Sequence, residues 1–222
     1  MTSQLRLPLQ RPDNRRRQDF IVSIANSASV QSLDAWPNWL GGLLALVGPE
    51  GCGKSHLALD WAAQAHAATV ADPATIPNSS RAILFEDADR RLDDEVLFHL
   101  INACATDGVS LLLTARTPPL EWNCQLPDLR SRLNAMPVAL LHPPDDQVLA
   151  QVLRKLFRER HIDVAQDLID YLLRRIERSV PAAAAVVASL DEAGDAQRRE
   201  INKALAREVL ETSPPSLNLF MS

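Results

Sequence analysis

The sequence lacks any uninterrupted apolar run of the roughly 18 residues that a membrane-spanning helix needs, so we expect no such helix. Cysteine is scarce: Cys52, Cys104 and Cys124 show neither C-x-x-C spacing nor a histidine at zinc-ligand spacing. This pattern predicts free thiols, no disulfide and no zinc site, which is typical of a reducing compartment. We therefore expect a cytoplasmic protein.

An excess of positive charge is also lacking. The 23 Lys and Arg residues face 28 Asp and Glu residues, and the formal net charge is -5 at pH 7. Because a chain of this charge is not attracted to the nucleic-acid backbone, we expect protein partners, no membrane contact and no direct sequence-specific DNA binding.

A glycine-rich segment that begins at Gly48 reads GPEGCGKS and contains the complete phosphate-loop pattern G-x-x-x-x-G-K-[ST]. The apolar run Leu43–Val47 before it predicts a buried strand, and a helix is predicted from Gly53 to about Ala67. Backbone N–H groups of such a loop converge on phosphate oxygens at a helix N-terminus, and the Ser55 hydroxyl suits Mg²⁺. We predict an ADP or ATP site whose contacts in this segment are Gly48, Pro49, Gly51, Cys52, Gly53, Lys54, Ser55 and His56.

Polar residues follow two further predicted strands. Glu86 and Asp87 come directly after the apolar run Ala82–Phe85, and Thr114 ends the apolar run Val109–Leu113. A carboxylate at this place can hold Mg²⁺ through water, and a second carboxylate can polarise the attacking water. We assign Glu86 to the metal, and Asp87 and Thr114 to catalysis. For Thr114, a hydroxyl that only caps the strand end is the alternative.

The alternation of strands and helices predicts an α/β fold of three layers with a parallel sheet and its ligand at the carboxyl ends of the strands. After residue 142 the apolar spacing becomes helical throughout. We predict a flexible leader over residues 1–18, a nucleotide-binding α/β domain over 19–142, a small all-helical lid domain over 143–211 and a C-terminal tail over 212–222.

Four segments, in this order, resemble the AAA+ ATPases of the bacterial initiator DnaA type: GPEGCGKSH, FEDADR, LLLTARTPP and PDLRSRL. The leader segment QLRLPL is similar to the sliding-clamp-binding hexapeptide of the Hda branch, the DnaA homologues that act in regulatory inactivation of DnaA. The resemblance extends from the leader to about Leu210. It implies an AAA+ P-loop domain followed by a helical lid, with a bound adenine nucleotide and Mg²⁺.

The resemblance also implies roles for particular residues. It makes Arg132 an arginine finger that acts in trans on the nucleotide of ATP-bound DnaA, where a guanidinium stabilises the transferred phosphoryl group. The residues alone favour a surface arginine near the sheet edge, and the resemblance reverses this preference. The family's adenine pocket matches Phe20, Ile21, Val22 and Asn26. Its contacts with the sliding clamp, the β subunit of DNA polymerase III, match Gln4, Leu5, Leu7, Pro8 and Leu9.

The chain departs from the family pattern at two site positions. Glu86 stands where an aspartate is usual, and Pro181 stands where DnaA relatives carry a lid arginine. Proline has no charge and no N–H, so it cannot contact a γ-phosphate. Arg178, one turn earlier, is a candidate substitute. We therefore expect weak or absent intrinsic hydrolysis. Nothing after Leu210 matches the helix-turn-helix domain of DnaA.

Two functions follow as hypotheses. In the first, the protein is a negative regulator of replication initiation that docks on the DNA-loaded clamp and stimulates ATP hydrolysis by DnaA. In the second, it is an autonomous ATPase of the helicase-loader type that forms its own ring. A homodimer through the surface that meets DnaA also stays open. The tail segment Ser216–Phe220 resembles a second clamp ligand; docking in another copy, or folding back on the lid, are its alternatives.

Overall fold

Five parallel strands form one sheet in the computed structural model of the protein, which describes residues 16–70, 80–90 and 93–212. Their order across the sheet is β2-β3-β4-β1-β5. The buried strands are almost continuously apolar because both faces of a parallel sheet are covered by helices. The strands are β1 (Leu43–Val47), β2 (Ala68–Val70), β3 (Ala82–Phe85), β4 (Ser110–Ala115) and β5 (Val138–Leu140).

Helices cover both faces of this sheet. On one face, Leu57 and Trp61 pack with residues of β1 and β3 in one hydrophobic cluster. On the other face, Ile101 and Leu129 pack in a second cluster. The predicted α/β class with a parallel sheet in three layers is confirmed. These helices are α1 (Ile24–Asp34), α2 (Lys54–Ala65), α3 (Asp94–Asp107) and α4 (Pro127–Ala135).

The remaining helices pack around Phe157 in a hydrophobic cluster of their own. This helical bundle contacts the α/β layers beside the phosphate loop: the Val180 amide donates a hydrogen bond to the Gly51 carbonyl, with an N···O distance of 3.1 Å. No helix in the described part of the chain is both long and apolar enough to cross a membrane. The bundle comprises α5 (Asp146–Glu159), α6 (Gln166–Leu173), α7 (Val180–Gln197) and α8 (Lys203–Thr212).

Two expectations about element ends need adjustment. Helix α2 ends at Ala65, before the predicted Ala67, because His66 adopts a left-handed backbone with a φ of 50° and caps the helix. Arg17, which lies within the predicted leader, belongs to a short 3₁₀ turn. Its amide donates to Asp60 at 2.8 Å and its guanidinium pairs with Asp34 at 2.9 Å, so the chain is attached to α1 and α2 from this residue onward.

The predicted clamp residues 4–9 and the segment 216–220 lie outside the described residues.

Candidate nucleotide site

The phosphate loop joins the carboxyl end of β1 to α2. In the sheet, β4, β3 and β2 lie on one side of β1, and β5 lies on the other side. Ligands of open parallel sheets bind at such a point, where the strand order changes direction. Glycine is required at the end of the loop because Gly53 has a φ of 103° and a Cβ there would lie 2.8 Å from Cε2 of Phe20. Glycine therefore lets the Phe20 ring pack directly against the backbone of the loop.

The N-terminus of α2 lacks a capping side chain. Ser23, Asp93, Asp145 and Ser179 cap α1, α3, α5 and α7 by accepting hydrogen bonds from their first-turn amides. At α2 the N-cap is Gly53, which contributes no side chain, and α4 and α6 also begin without a side-chain cap. At α2, in contrast to those two helices, the phosphate-loop motif precedes the uncapped N–H groups, and the positive end of the helix dipole favours an anion there. These features fit a phosphate chain.

Lys54 lies inside the loop and is only 8% exposed. Its ammonium donates to the carbonyl of Gly48 at 2.6 Å and to the carbonyl of Pro49 at 2.8 Å. A buried ammonium requires such partners because desolvation without compensation is costly. The loop therefore already positions one positive charge at the place where the motif requires it.

Two of the three predicted strand-end residues, Asp87 and Thr114, are joined by a hydrogen bond. The Asp87 amide donates to Oγ1 of Thr114 at 3.1 Å, and Asp87 has a left-handed φ of 54°. Thr114 is 1% exposed, so in the structure its hydroxyl fixes the turn after β3, which is the capping role that the residues alone allow. Glu86 and Asp87 are half-buried at the carboxyl edge of the sheet.

Ser55 and Glu86 are the predicted magnesium residues. Their hydroxyl and carboxylate oxygens are donor types that Mg²⁺ prefers, so the residues fit the ion. In the part of the chain that the structure describes, no three His, Cys, Asp or Glu side chains converge to hold a metal by themselves. Phosphate oxygens and water would have to complete the coordination of Mg²⁺, which is its usual mode in nucleotide sites.

A cavity of about 420 Å³ opens beside the loop. Its lining includes three of the four predicted base-pocket residues, together with Cys52, Gly53 and His56 of the loop region and apolar residues of α5 such as Val148 and Val152. Val22 does not line the cavity, and its side chain is 48% exposed. The three predicted base-pocket residues in the lining are Phe20, Ile21 and Asn26.

Asn26 shapes one wall of this cavity. Its amide nitrogen donates to the Ile21 carbonyl at 3.0 Å, and its amide oxygen accepts from the Ser23 backbone at 2.8 Å. The Phe20 ring packs against the His56 ring, with centroids 5.6 Å apart. The segment before α1 is thus fixed against the start of α2, with apolar surface facing the cavity. Such a wall is suited to a flat, apolar base.

Charged groups on the cavity wall are paired with each other. The Lys155 ammonium on α5 lies 2.6 Å from the Asp19 carboxylate, and this hydrogen bond lowers the pKa of Asp19. Lys155 also donates to the Asp19 carbonyl at 3.3 Å. The helical bundle and the segment before α1 are therefore joined across the cavity. Sequence reasoning missed this pair, since the two residues are 136 positions apart and no local pattern marks either one.

The start of α7 packs against the phosphate loop. A Cβ on Gly51 would lie 2.7 Å from Cβ of Ser179 and 3.0 Å from Cδ of Pro181. Pro181 stands in the first turn of α7. At the position that the resemblance assigns to a lid arginine, the chain therefore has an apolar side chain next to the loop. Arg178, the candidate substitute, pairs with Asp146 at 2.9 Å.

Sequence reasoning also missed an ion pair at the mouth of the loop, between the Arg116 guanidinium and the Glu50 carboxylate. The Arg116 amide donates to the Asp89 carboxylate at 2.9 Å. A signal for Arg116 was available, because it follows directly after β4 and the strand-end argument that selects Thr114 applies to it as well.

Arg132 lies on α4 and does not line the cavity. Its guanidinium stands over the Phe98 ring, 5.7 Å from the centroid, and within the described residues it pairs with no carboxylate. Arg130, two residues earlier, donates instead to the Cys124 carbonyl. Both arginines are exposed, but Arg130 is bound to a backbone carbonyl and Arg132 contacts an aromatic ring.

The three cysteines are free and buried. Burial raises the pKa of the Cys52 thiol in the phosphate loop and raises that of Cys104 to about 11. Both thiols are therefore protonated at neutral pH.

No protein-family model matches the chain. Its fold is similar to domain III of the replication initiation protein DnaA from Thermotoga maritima, with a TM-score of 0.75 and 16% identity over 90% of this chain and 97% of that one. It is also similar to AMPPCP-bound DnaA from Aquifex aeolicus (TM-score 0.68, 18% identity, 82% of this chain, 67% of that one). A third similar structure is the RuvB Holliday junction branch migration motor of T. maritima (TM-score 0.68, 15% identity, 89% and 72%). At this level of identity the likeness establishes the fold alone: the chain has the fold of DnaA domain III and of RuvB.

Proposed function

We propose that this protein binds an adenine nucleotide at the start of α2 and acts as an adaptor that restrains replication initiation. In this proposal the leader segment Gln4–Leu9 docks on the sliding clamp, and Arg132 stimulates ATP hydrolysis by DnaA. The observation that carries the proposal is the exposed Arg132 guanidinium, which pairs with no carboxylate of the described chain, while the cations beside its own phosphate loop are engaged within the chain.

Nucleotide binding is supported by three features of the site. The α2 N-terminus has no capping side chain, the loop holds the buried ammonium of Lys54, and the adjoining cavity of about 420 Å³ has an apolar wall. AMPPCP, an ATP analogue, is bound by the similar DnaA of A. aeolicus. Ser55 and Glu86 are the residues that would hold Mg²⁺, which supplies charge neutralisation for the phosphates.

Action on a partner is supported by the position of Arg132. It stands in the last turn of a helix whose buried Leu129 and Leu133 anchor it to the sheet, and it lies outside the chain's own cavity. A guanidinium that a rigid helix presents to a partner's nucleotide can stabilise charge on the transferred phosphoryl group without a conformational change of its own. Beside the chain's own phosphate loop, in contrast, the lid contributes the uncharged Pro181 and not an arginine.

The test measures ATP hydrolysis by DnaA with this protein and DNA-loaded clamp. We expect acceleration that Arg132→Ala reduces about 10³-fold, as for other arginine fingers. Arg174→Ala, which removes an exposed arginine from the helical bundle, is the matched control and should retain full stimulation. A variant with alanine at Gln4, Leu5 and Leu7 should no longer accelerate hydrolysis when DNA-loaded clamp is present.

Full stimulation by Arg132→Ala would remove this residue from the proposed role. Rapid ATP turnover by the protein alone, with ATP-dependent oligomers and no response to DnaA or clamp, would favour the autonomous ATPase of the helicase-loader type instead.

A further inference from the structure

We propose that a cavity between α1 and α2 binds an arginine residue of a peptide segment, and that Arg15 of the leader is this arginine. Arg15 lies outside the described residues, whereas every residue that lines the cavity is described. The α1–α2 cavity shares no lining residue with the cavity beside the phosphate loop. The inference therefore does not depend on nucleotide binding.

The α1–α2 cavity has a volume of about 230 Å³ and two indole rings in its wall. The Trp36 ring is held by a hydrogen bond from its Nε1 to Oγ of Ser110 at 3.0 Å. It stands edge-on to the Trp61 ring, with centroids 6.2 Å apart and an interplanar angle of 88°. These contacts give the cavity a rigid aromatic wall. The lining consists of Leu33, Asp34, Trp36, Asp60, Trp61 and Gln64.

Two carboxylates of the lining share one cation. Asp34 pairs with the Arg17 guanidinium at 2.9 Å. Asp60 accepts from the Arg17 amide at 2.8 Å and from the Gln64 side-chain amide at 2.6 Å, and within the described residues it forms no ion pair. A second guanidinium would balance the charge, and it would also be attracted to the face of a tryptophan ring. The wall therefore suits an arginine side chain.

Trp61 requires something that a cation alone does not supply. Its side chain is 4% exposed, and its Nε1 is buried with no hydrogen-bond partner in the part of the chain that the structure describes. An indole N–H and a guanidinium are both donors only, so neither can satisfy the other. A buried donor needs an acceptor, and a peptide carbonyl next to the arginine side chain is one. The combination favours an arginine within a peptide over a free cation.

The described chain begins beside this cavity. The first contact of Arg17 with α2 is the hydrogen bond of its amide to Asp60, a residue of the lining. Arg15 comes two positions earlier, and two residues of extended chain span about 7 Å. Its side chain can therefore reach the cavity. A tether this short gives the leader arginine a local concentration in the millimolar range or above, which a separate peptide must exceed.

An anchored Arg15 would determine where the leader leaves the fold. Leu9, the last of the predicted clamp residues, is six positions before Arg15, so the two Cα atoms would be at most about 22 Å apart. The clamp would then be held on the α1–α2 side of the molecule. This consequence, unlike the site itself, rests on the proposed function.

The first experiment records the indole N–H signals of the ¹⁵N-labelled full-length protein by two-dimensional NMR. Each of the four tryptophans gives one signal, and Trp36→Phe and Trp61→Phe assign the two that belong to the cavity. Arg15→Ala should shift both cavity signals and leave the signal of Trp122, which packs on the other face of the sheet, in place. Arg16→Ala, which removes the exposed neighbouring arginine, is the matched control and should shift neither cavity signal.

The second experiment titrates the same signals with N-acetyl-arginine amide, which carries both a guanidinium and a carbonyl. In Arg15→Ala the probe should move the two cavity signals toward their wild-type positions. Wild type should require about tenfold more probe, because the probe must displace a tethered arginine. N-acetyl-citrulline amide has the same shape without the charge and should have no effect. Asp60→Asn, with thermal unfolding to check its fold, should abolish the response.

The outcomes separate the site from its occupant. An equal response of wild type and Arg15→Ala to the arginine probe would overturn Arg15 as the occupant. The absence of a response in both proteins, or an equal response to the citrulline probe, would overturn the site. None of these measurements involves nucleotide, clamp or DnaA, so the inference can fail while the proposed function stands.

Discussion

The cations at the loop edge of the sheet and the cation on α4 have different kinds of partner. At the loop edge Lys54, Arg116 and Lys155 each donate to a carbonyl or a carboxylate of the same chain. On the α4 face Arg132 contacts an aromatic ring and, within the described residues, no carboxylate. The difference is that each of these loop-edge cations is held by an oxygen of the same chain, whereas no carboxylate of the described residues holds Arg132.

Burial explains the partners of Lys54, whereas Arg116 and Lys155 are paired although about a third of each side chain is exposed. A cation that is removed from water needs an internal partner, because uncompensated desolvation is costly. Lys54 is 8% exposed and has two carbonyl partners. Arg132 remains hydrated on the surface and needs none. The comparison predicts that substitutions at the two places affect different measurements.

The largest effect is expected from Lys54→Ala. It removes the ammonium that the loop positions for phosphate, so we expect ATP and ADP affinity to fall at least about a hundredfold, the loss typical of a charged contact in a shielded site. Isothermal titration calorimetry with each nucleotide measures this. Arg132→Ala should leave both affinities within about twofold of wild type. Parallel losses in the two variants would contradict the separation of the two regions.

Gly51→Ala should have the next largest effect because the loop is packed against α7. Gly51 has a φ of 73°, and an added Cβ would lie 2.7 Å from Cβ of Ser179. Backbone strain and overpacking together should lower the free energy of unfolding by about 3 kcal/mol. Urea denaturation followed by circular dichroism measures the change.

Gly41→Ala is the matched control for strain alone. Gly41 has a similar φ of 65° and no atom within 4 Å of an added Cβ. Its substitution should cost about 1 kcal/mol. Equal losses for the two variants would show that Ser179 and Pro181 accommodate the added Cβ without overpacking.

The smallest effect concerns the acid side of the stability profile. The hydrogen bond from Lys155 lowers the pKa of Asp19 in the folded protein. The stabilisation is therefore fully present above the ordinary carboxyl pKa of about 3.9 and is lost as the pH falls through the lower folded value. Because both side chains are about one-third exposed, we expect a contribution below about 1 kcal/mol.

Asp19→Asn should remove this component. Its free energy of unfolding should fall slightly below wild type at pH 7, and the difference should shrink toward pH 3. Asp163→Asn, at an exposed carboxylate between α5 and α6, serves as the control and should follow the wild-type curve. A difference between wild type and Asp19→Asn that stays constant with pH would contradict the assignment.

The predictability of each element follows from its burial pattern. The observed bounds of β1 and β3 match the apolar runs Leu43–Val47 and Ala82–Phe85, because a strand buried on both faces needs an uninterrupted apolar stretch. Periodicity does not predict α4 or β5. Helix α4 buries only Leu129 and Leu133, and β5 is three residues long.

The residues of the candidate site also differ in whether the sequence alone could predict them. The phosphate loop and its helix are local features, so their residues could be named from the motif alone. The pairs that set its charge balance join distant positions: Arg116 lies 66 residues from Glu50, and Lys155 lies 136 residues from Asp19. Only the sheet order and the packing of α5 and α7 bring these groups together, and neither can be read from a short stretch of sequence.

The thiol of Cys52 gives the phosphate loop a chemical property of its own. Its sulfur is 3.0 Å from the position that a Cβ on Gly48 would occupy, so the folded loop closes around it. Since the thiolate and not the thiol reacts with peroxides and electrophiles, the raised pKa of Cys52 makes the closed loop a poor target for oxidation or alkylation. A reagent should therefore modify Cys52 slowly in the folded protein, although this residue lines the cavity beside the loop.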